Sequence, residues 1–386
     1  MDSPRGRIHL MEARLDGTVA LNTTVVEHFD RCLGCMACVT SCPSGVQYDK
    51  LIELTRVRVE EEYRRPLPER ALRELLFAVI PHRRRLSAAL ALAPLGRKVP
   101  LPAKLRPLVE LAPPWRSTAA PAAVTPPLRE RVARVGLLTG CVQSVVFGDV
   151  NVATARALAA HGCEVVAPHQ QGCCGALHVH AGRDQDGLER ARQTIDTFER
   201  AGVDFVVTNA AGCGSNLKEY AFLLRDDPLY AERAEHFATR VRDVSEVLVE
   251  LPPQTEPAPL EVRVAFQDSC HLIHAQKVRY APRQMLAAVP GLVVEEPAEQ
   301  QICCGSAGIY NIVQPGAARE LGDRKAGHVL ATGAEVYASG NPGCLVQIST
   351  ALRRAGRPLP ALHPIELVDA SLRRIPAAHL LARARR

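Results

Sequence analysis

The stretch Cys32-Leu-Gly-Cys35-Met-Ala-Cys38-Val-Thr-Ser-Cys42-Pro43 reads C-x2-C-x2-C-x3-C-P. That spacing is the one that holds a cubane iron–sulfur cluster. Three thiols lie one short turn apart, so a tight loop can grip three irons of one cube. The fourth follows, and Pro43 turns the chain away. A zinc site instead shows ligand pairs separated by a longer spacer. A disulfide framework belongs to a small secreted domain, and a chain of 386 residues is not small. Cys32, Cys35, Cys38 and Cys42 are therefore the candidate ligands of a 4Fe–4S cluster.

The residues around this loop read as helices. Ile8, Met11 and Leu15 recur at roughly helical spacing, 24–30 reads as a short helix leading into the loop, and 48–62 as a longer one. On that longer helix Leu51, Leu54 and Val57 are expected to share the buried face. Residues 1–62 thus form a small, mostly helical, ferredoxin-type domain.

Residues 63–131 differ. A helix over 71–80 ends before Pro81, and nine prolines follow from Pro94 to Pro127. Such a span is expected to carry only short helices and linker. It is also basic: residues 64–134 hold fifteen Lys and Arg against four Asp and Glu, a local +11 in a chain of net charge +6. Two readings stand, a solvated connector or a basic docking face, centred on Arg83-Arg84-Arg85, for a membrane surface or a partner. Nucleic acid ranks last, because the segment has few aromatics and no nucleic-acid module pattern. The longest apolar run, 86–95, is too short to span a bilayer and is flanked by the arginines and by Arg97-Lys98. The first residues, Met1-Asp-Ser-Pro-Arg-Gly-Arg, carry no apolar signal core. The expectation is a cytoplasmic protein, peripheral at most to the inner face of the cytoplasmic membrane. In a reducing compartment thirteen cysteines favour metal over disulfides.

From residue 132 the chain repeats itself. Cys141, Cys173-Cys174-Gly175 and Cys213 recur as Cys270, Cys303-Cys304-Gly305 and Cys344, at offsets of 129, 130, 130 and 131 residues. Four matched cysteines at a near-constant offset mark two related domains, 132–250 and 262–372. Each copy alternates strand and helix. The expected strands are 132–138, 165–167 and 205–208 in copy one, and 262–266, 292–294 and 336–338 in copy two. The expected helices are 150–161 and 187–201, then 281–289 and 317–332. Alternation of this kind implies parallel sheets with helices on their faces. The fold class is α+β / α/β: a small helical ferredoxin-like domain followed by two repeated α/β Cys-Cys-Gly domains.

All eight repeat cysteines fall in or beside loops after expected strands, where such folds collect ligands. Vicinal cysteines make poor disulfides, and the glycines beside them let backbone approach a bulky group. Four thiols per copy can close one metal or cluster site; the bland alternative is that they pack as small hydrophobes. Cys163 has no counterpart in copy two and reads as core. His178, His180, His271 and His274 lie near the cysteines as candidate ligands or proton relays, with an ordinary surface or core role the default. There is no dinucleotide fingerprint, phosphate loop or nucleophile elbow, so no catalytic residue is assigned and the chemistry on offer is one-electron transfer.

These residues resemble a known family, the iron–sulfur subunit of glycolate oxidase (glycolate dehydrogenase). The matching stretches are Asp2-Ser-Pro-Arg-Gly-Arg-Ile8, Asp30 through Tyr48, and the two Cys-Cys-Gly domains. The Cys-Cys-Gly domains are shared with iron–sulfur parts of lactate-utilisation and anaerobic glycerol-3-phosphate dehydrogenase systems and with heterodisulfide reductase. The resemblance implies a partner: flavin-containing glycolate dehydrogenase subunits, carrying the FAD, would oxidise glycolate to glyoxylate. This chain would pass the electrons toward a quinone at the membrane. A lactate or glycerol-3-phosphate complex, and a cluster-free scaffold or truncated remnant, are the alternatives. The family looks like a two-cluster type with a second C-x2-C-x2-C-x3-C-P run before the Pro-Arg-Gly-Arg stretch. The expectation is that this chain starts late, so that Cys42 either closes the single cluster or belonged to the other one. The C-x-x-C that ends each domain in the reductase relatives is absent here, since Gly-Ser-Asn216 follows Cys213 and Leu-Val-Gln347 follows Cys344. The fifth thiolate of a noncubane cluster is therefore lacking in both copies.

Overall fold

The structure is a computed structural model that describes all residues except 98, 101, 103–104 and 383–386; Lys98, one flank of the apolar run, lies outside the described residues. The N-terminal domain is built from α1 (Pro4–Leu15), α2 (Thr23–Asp30), α3 (Ala37–Thr40) and α4 (Tyr48–Glu62). Ser3 and Asn22 cap the first two, their side-chain oxygens accepting from Gly6 N and Val25 N at 3.1 Å each. Leu10, Val26 and Phe29 close a small core with Tyr48, Ile52 and Val59. The buried face of α4 is therefore Tyr48–Ile52–Val59. The expected Leu51–Leu54–Val57 face is turned away, with Leu51 and Leu54 exposed. Apolar spacing finds the helix, but α1 and α2 decide which of its two apolar stripes they cover.

The basic segment is more ordered than its prolines imply. It forms α5 (Leu67–Val79), α6 (Arg83–Gly96) and α7 (Arg106–Glu110). The expectation of short helices is corrected by α6, which runs fourteen residues with Pro94 inside its last turn. Pro68 sits in the first turn of α5, where its missing N–H costs nothing. Leu86 and Leu90 of α6 pack with Ala112 against Val142, Val145 and Val146 of copy one. Leu76 and Phe77 of α5 pack between Leu177 of copy one and Ile309 of copy two. The segment is thus a strap across both repeats.

Copy one carries β1 (Val124–Thr125), β2 (Ala133–Leu138), β3 (Cys163–Val166), β4 (Phe205–Thr208) and β5 (Val241–Asp243) in the order β1-β3-β2-β4-β5, parallel except for β1. Copy two carries β6 (Val262–Gln267), β7 (Leu292–Glu295), β8 (Val336–Ser339) and β9 (Ala361–Leu362) in the order β7-β6-β8-β9, all parallel. The register repeats too: Val135 pairs with Val165 as Val264 pairs with Val294. One apolar cluster crosses from copy to copy, joining Val135, Leu137 and Leu158 to Val264, Phe266 and Ile365. Arg156, on the helix Gly148–Ala160, clamps this seam with a bidentate pair to Asp369 on the helix Pro364–Leu372, at 2.8 and 2.5 Å. Among the described residues no helix is long and apolar enough to cross a membrane.

Candidate metal centres

The ferredoxin-type loop is wound so that its own amides face its sulfurs. Gly34 takes φ 61° and Met36, which is not glycine, also takes φ 61°. A left-handed non-glycine residue costs on the order of 1–3 kcal/mol and persists where the surroundings demand it. Here the winding brings Gly34 N to 3.4 Å from Cys32 Sγ, with the Tyr48 hydroxyl donating to the same sulfur at 3.7 Å. The Ala37 N–H serves Cys35, and the Cys38 and Val39 amides serve Cys38. Soft thiol donors cradled by N–H groups suit an iron–sulfur group. Arg56 on α4 braces the loop, donating to Cys32 O at 2.6 Å and to His180 O of copy one at 2.8 Å.

Cys32 and Cys38 act on Cys35, and Cys32 acts on Cys38. Burial pushes the Cys35 thiol up to about 12, and the next largest influence is Cys303 of copy two. Cys42 instead accepts from the Val46, Ser44 and Gly45 amides, feels Arg5, and is held below the ordinary thiol value.

Each repeat gathers its four cysteines at the carboxyl ends of its strands. In copy one Cys141 Sγ lies 3.5 Å from Cys173 Sγ, and Gly175 N faces Cys173 Sγ at 3.5 Å. In copy two Cys304 Sγ lies 3.2 Å from Cys344 Sγ, Gly305 N faces Cys303 Sγ at 3.4 Å, and Asn341 Nδ2 lies 3.6 Å from Cys344 Sγ. All thirteen cysteines are free. Sulfur contact splits the thiols: Cys173 pushes Cys141 and Cys174 up, while Cys141 holds Cys173 down. In copy two Cys303 likewise pushes Cys270 and Cys304 up, and Cys270 holds Cys303 down. Crowded buried thiols cannot all ionise unless a cation joins them. Among the described residues no three His, Cys, Asp or Glu side chains surround one single-ion position; the sulfurs touch, so filling a quartet means parting them. Cys163 is fully buried in the apolar core, as expected.

The family model of a cysteine-rich domain matches 135–218 and 264–349, and that of a 4Fe-4S binding domain matches 25–48. A probable glycolate oxidase iron-sulfur subunit of Bacillus subtilis is 38% identical over 92% of this chain and 84% of its own length. The chain belongs to the glycolate oxidase iron–sulfur subunit family. The glycolate oxidase iron-sulfur subunit of Escherichia coli is 36% identical over 96% of this chain and 88% of its own length. A lactate utilization protein A from Halalkalibacterium halodurans is 31% identical over 61% of this chain and 96% of its own length.

In this glycolate oxidase family member, the four singled-out histidines occupy the seams between domains. His180 Nδ1 meets Glu53 of α4 at 3.0 Å, and its ring lies 5.1 Å from that of His271. His274 Nδ1 meets Thr40 Oγ1 at 2.7 Å. His178 packs on Phe77 of α5 at 5.4 Å. Burial pulls His271, beside Cys270, down to about 4. Sequence reasoning missed a bracket of glutamines. Gln171 accepts from Thr139 N at 2.7 Å and donates to Leu137 O at 3.0 Å, tying the end of β2 to the Cys-Cys loop. Gln300 does the same in copy two, with Asp268 N at 3.0 Å and Phe266 O at 2.6 Å. Their offset of 129 residues matches the cysteine repeat and was the signal available. Arg83 corrects the expected docking face: its Nη2 donates to Thr139 Oγ1 at 2.6 Å, inside copy one, while Arg84 and Arg85 stay exposed.

Proposed function

We propose that this chain is the electron-transfer subunit of a glycolate dehydrogenase complex. A flavin-bearing partner subunit oxidises glycolate to glyoxylate, and electrons leave one at a time through this chain to a quinone-type acceptor. Cys32, Cys35 and Cys38 hold the 4Fe–4S cluster, with Cys42 as the fourth thiolate of the motif or the ligand of a neighbouring cluster. Cys141, Cys173, Cys174 and Cys213, and Cys270, Cys303, Cys304 and Cys344, hold an iron–sulfur group in each copy. The observation that carries this reading is the docking of the ferredoxin-type loop on copy two, where Thr40 meets His274 at 2.7 Å and the Cys303 thiol acts on Cys35. Neighbouring cysteine sites in one chain suit electron transfer and leave substrate chemistry to the partner.

The acceptor side is assigned to the strap. Leu92, Leu95, Val99 and Trp115 are exposed on it, as are Arg84 and Arg85. Exposed apolar side chains amid basic charge suit an anionic membrane surface. A groove of about 1070 Å³ runs between the strap and the helix Pro342–Arg354.

The test is iron and acid-labile sulfide per chain after anaerobic purification, with EPR on the reduced sample. Cys32→Ser is expected to remove the ferredoxin-loop signal, and Cys42→Ser to leave more iron than Cys32→Ser does. Copurification of a flavoprotein and glycolate-dependent quinone reduction complete the assay. An iron-free chain after reconstitution would refute the reading, and a lactate-specific partner would move it to lactate oxidation.

A further inference from the structure

Two cations are held by backbone or hydroxyl oxygens within electrostatic reach of the cysteine quartets, and among the described residues no carboxylate pairs with either. In copy two the helix Pro315–Ala331 carries Lys325, which is 1% exposed. Its ammonium donates to the backbone carbonyl of Glu299. The Glu299 carboxylate is taken by Arg324 and by His328 Nε2 at 2.8 Å. Burial pulls Lys325 down; the groups that restore its charge are Cys304, Cys344 and Cys303, ahead of Glu299. A buried ammonium without an anion is among the costliest arrangements in a protein interior.

Copy one lacks this lysine. The buried positions of the helix Asp184–Ala201 match those of Pro315–Ala331 at an offset of 131: Ala191 against Gly322, Ile195 against Ala326, Phe198 against Val329. Thr194 therefore stands where copy two has Lys325. The cation comes from elsewhere. Arg83 reaches in from α6, bonds to Thr139 Oγ1 at 2.6 Å, and has Cys141 and Cys173 as the groups that favour its charge. Arg190 lies over the same loop, its Nη1 3.9 Å from where a Cβ on Gly172 would be. Two copies that diverged in sequence have thus each acquired an uncompensated cation beside the thiols, from different elements. A repeat that merely packed cysteines as small hydrophobes would have no use for either.

We propose that Lys325 and Arg83 are the fixed counter-cations of an anionic iron–sulfur centre in copy two and copy one respectively, and that they set its reduction potential. The proposal rests on the reading that the quartets hold such centres. Reduction adds one electron, supplied by the reduced flavin of the partner subunit, and breaks no bond. The added negative charge is stabilised by a cation that is already in place, so the reduced state is favoured. Both side chains act through the cysteines and are positioning residues.

The experiment uses the full chain, reconstituted anaerobically with ferrous iron and sulfide, and reads midpoint potentials by EPR-monitored titration. Cys344→Ser and Cys213→Ser identify the signals of copy two and copy one. Lys325→Met is expected to make reduction of the copy-two centre about tenfold less favourable, a downward shift of about 59 mV for a one-electron couple. Lys325→Arg should keep the potential, and Arg83→Met should lower only the copy-one signal. Should Lys325→Met fail to fold, Lys325→Gln takes its place in copy two and Arg83→Met still decides the matter in copy one. Unchanged potentials in the charge-removing variants, with iron content intact, would overturn the proposal alone. Iron content indifferent to both cysteine variants would overturn it together with the reading of the quartets.

Discussion

Gly305 shows how little room the Cys-Cys loops leave. Its φ is 87°, and a Cβ there would stand 2.7 Å from the Ala318 carbonyl oxygen. Gly356 has φ 69° with nothing within 4 Å. Alanine at Gly356 meets only the backbone penalty, about 1 kcal/mol. At Gly305 it adds a clash with backbone, so Gly305→Ala should cost more than Gly356→Ala, about 2–4 kcal/mol in all. Denaturant unfolding of the two variants checks the difference. At the same scale Arg83 marks a limit of sequence reading. A run of three arginines looks uniform, yet α6 turns the first into the protein and leaves the other two outside.

Among the elements, the helix Val244–Glu250 carries a pH signature. Its N-cap, Asp243, accepts from Ser245 N at 2.9 Å and Ser245 Oγ at 2.6 Å, while Glu246 reaches back to Asp243 N at 2.8 Å. Burial pushes Asp243 up to about 6 against an ordinary 3.8, with the Ser245 bonds opposing. A carboxyl whose folded value is raised binds its proton more tightly in the folded state. Its contribution is fully present below pH 3.8 and is lost as pH rises through 6. The shift corresponds to about 3 kcal/mol. Asp243→Asn keeps a capping side chain and cannot ionise. It should therefore gain stability over the wild type as pH rises from 4 to 7, read as the difference between two series of urea melts. Parallel series would show that Asp243 ionises freely in the fold. The missed strands β1, β5 and β9 are two or three residues long, too short for alternation to register.

For the molecule as a whole, the shared core couples the repeats. Val135 and Leu158 belong to the same apolar cluster as Val264 and Ile365, with Arg156–Asp369 across the seam. The two repeats should therefore unfold in one calorimetric transition, and residues 132–250 expressed alone should fail to melt cooperatively. Arg156→Ala leaves Asp369, which is 5% exposed, with only Arg373 at 3.6 Å, and should lower stability by about 1–2 kcal/mol. Two separate transitions would argue that the copies fold independently. The charge pattern also acts at this scale. Replacing Arg84 and Arg85 together by Ser should weaken binding to anionic vesicles at low salt, with the difference vanishing at high salt. Vesicle binding unchanged at low salt would remove the strap from the membrane contact. Arg83 is excluded from that pair because it points into copy one.

Chemistry and repetition were legible in the chain alone. Cysteine spacing is local, so the loop at Cys32–Cys42 declares its candidate ligands without help from the fold, and a near-constant offset declares two copies whatever their packing. Strand–helix alternation is local as well, which is why β4 begins and ends where expected. Long-range choices were not legible. Only the tertiary structure decided which stripe of α4 is buried, that the proline-rich segment straps both repeats, that the Cys35 loop docks on copy two, and that Lys325 and Arg83 come within electrostatic reach of their quartets from unrelated positions. The physical reason is the same in each case. Burial and charge compensation are settled by whichever surfaces meet, and residues 83 and 141, or 35 and 303, come within electrostatic reach only when the chain has folded.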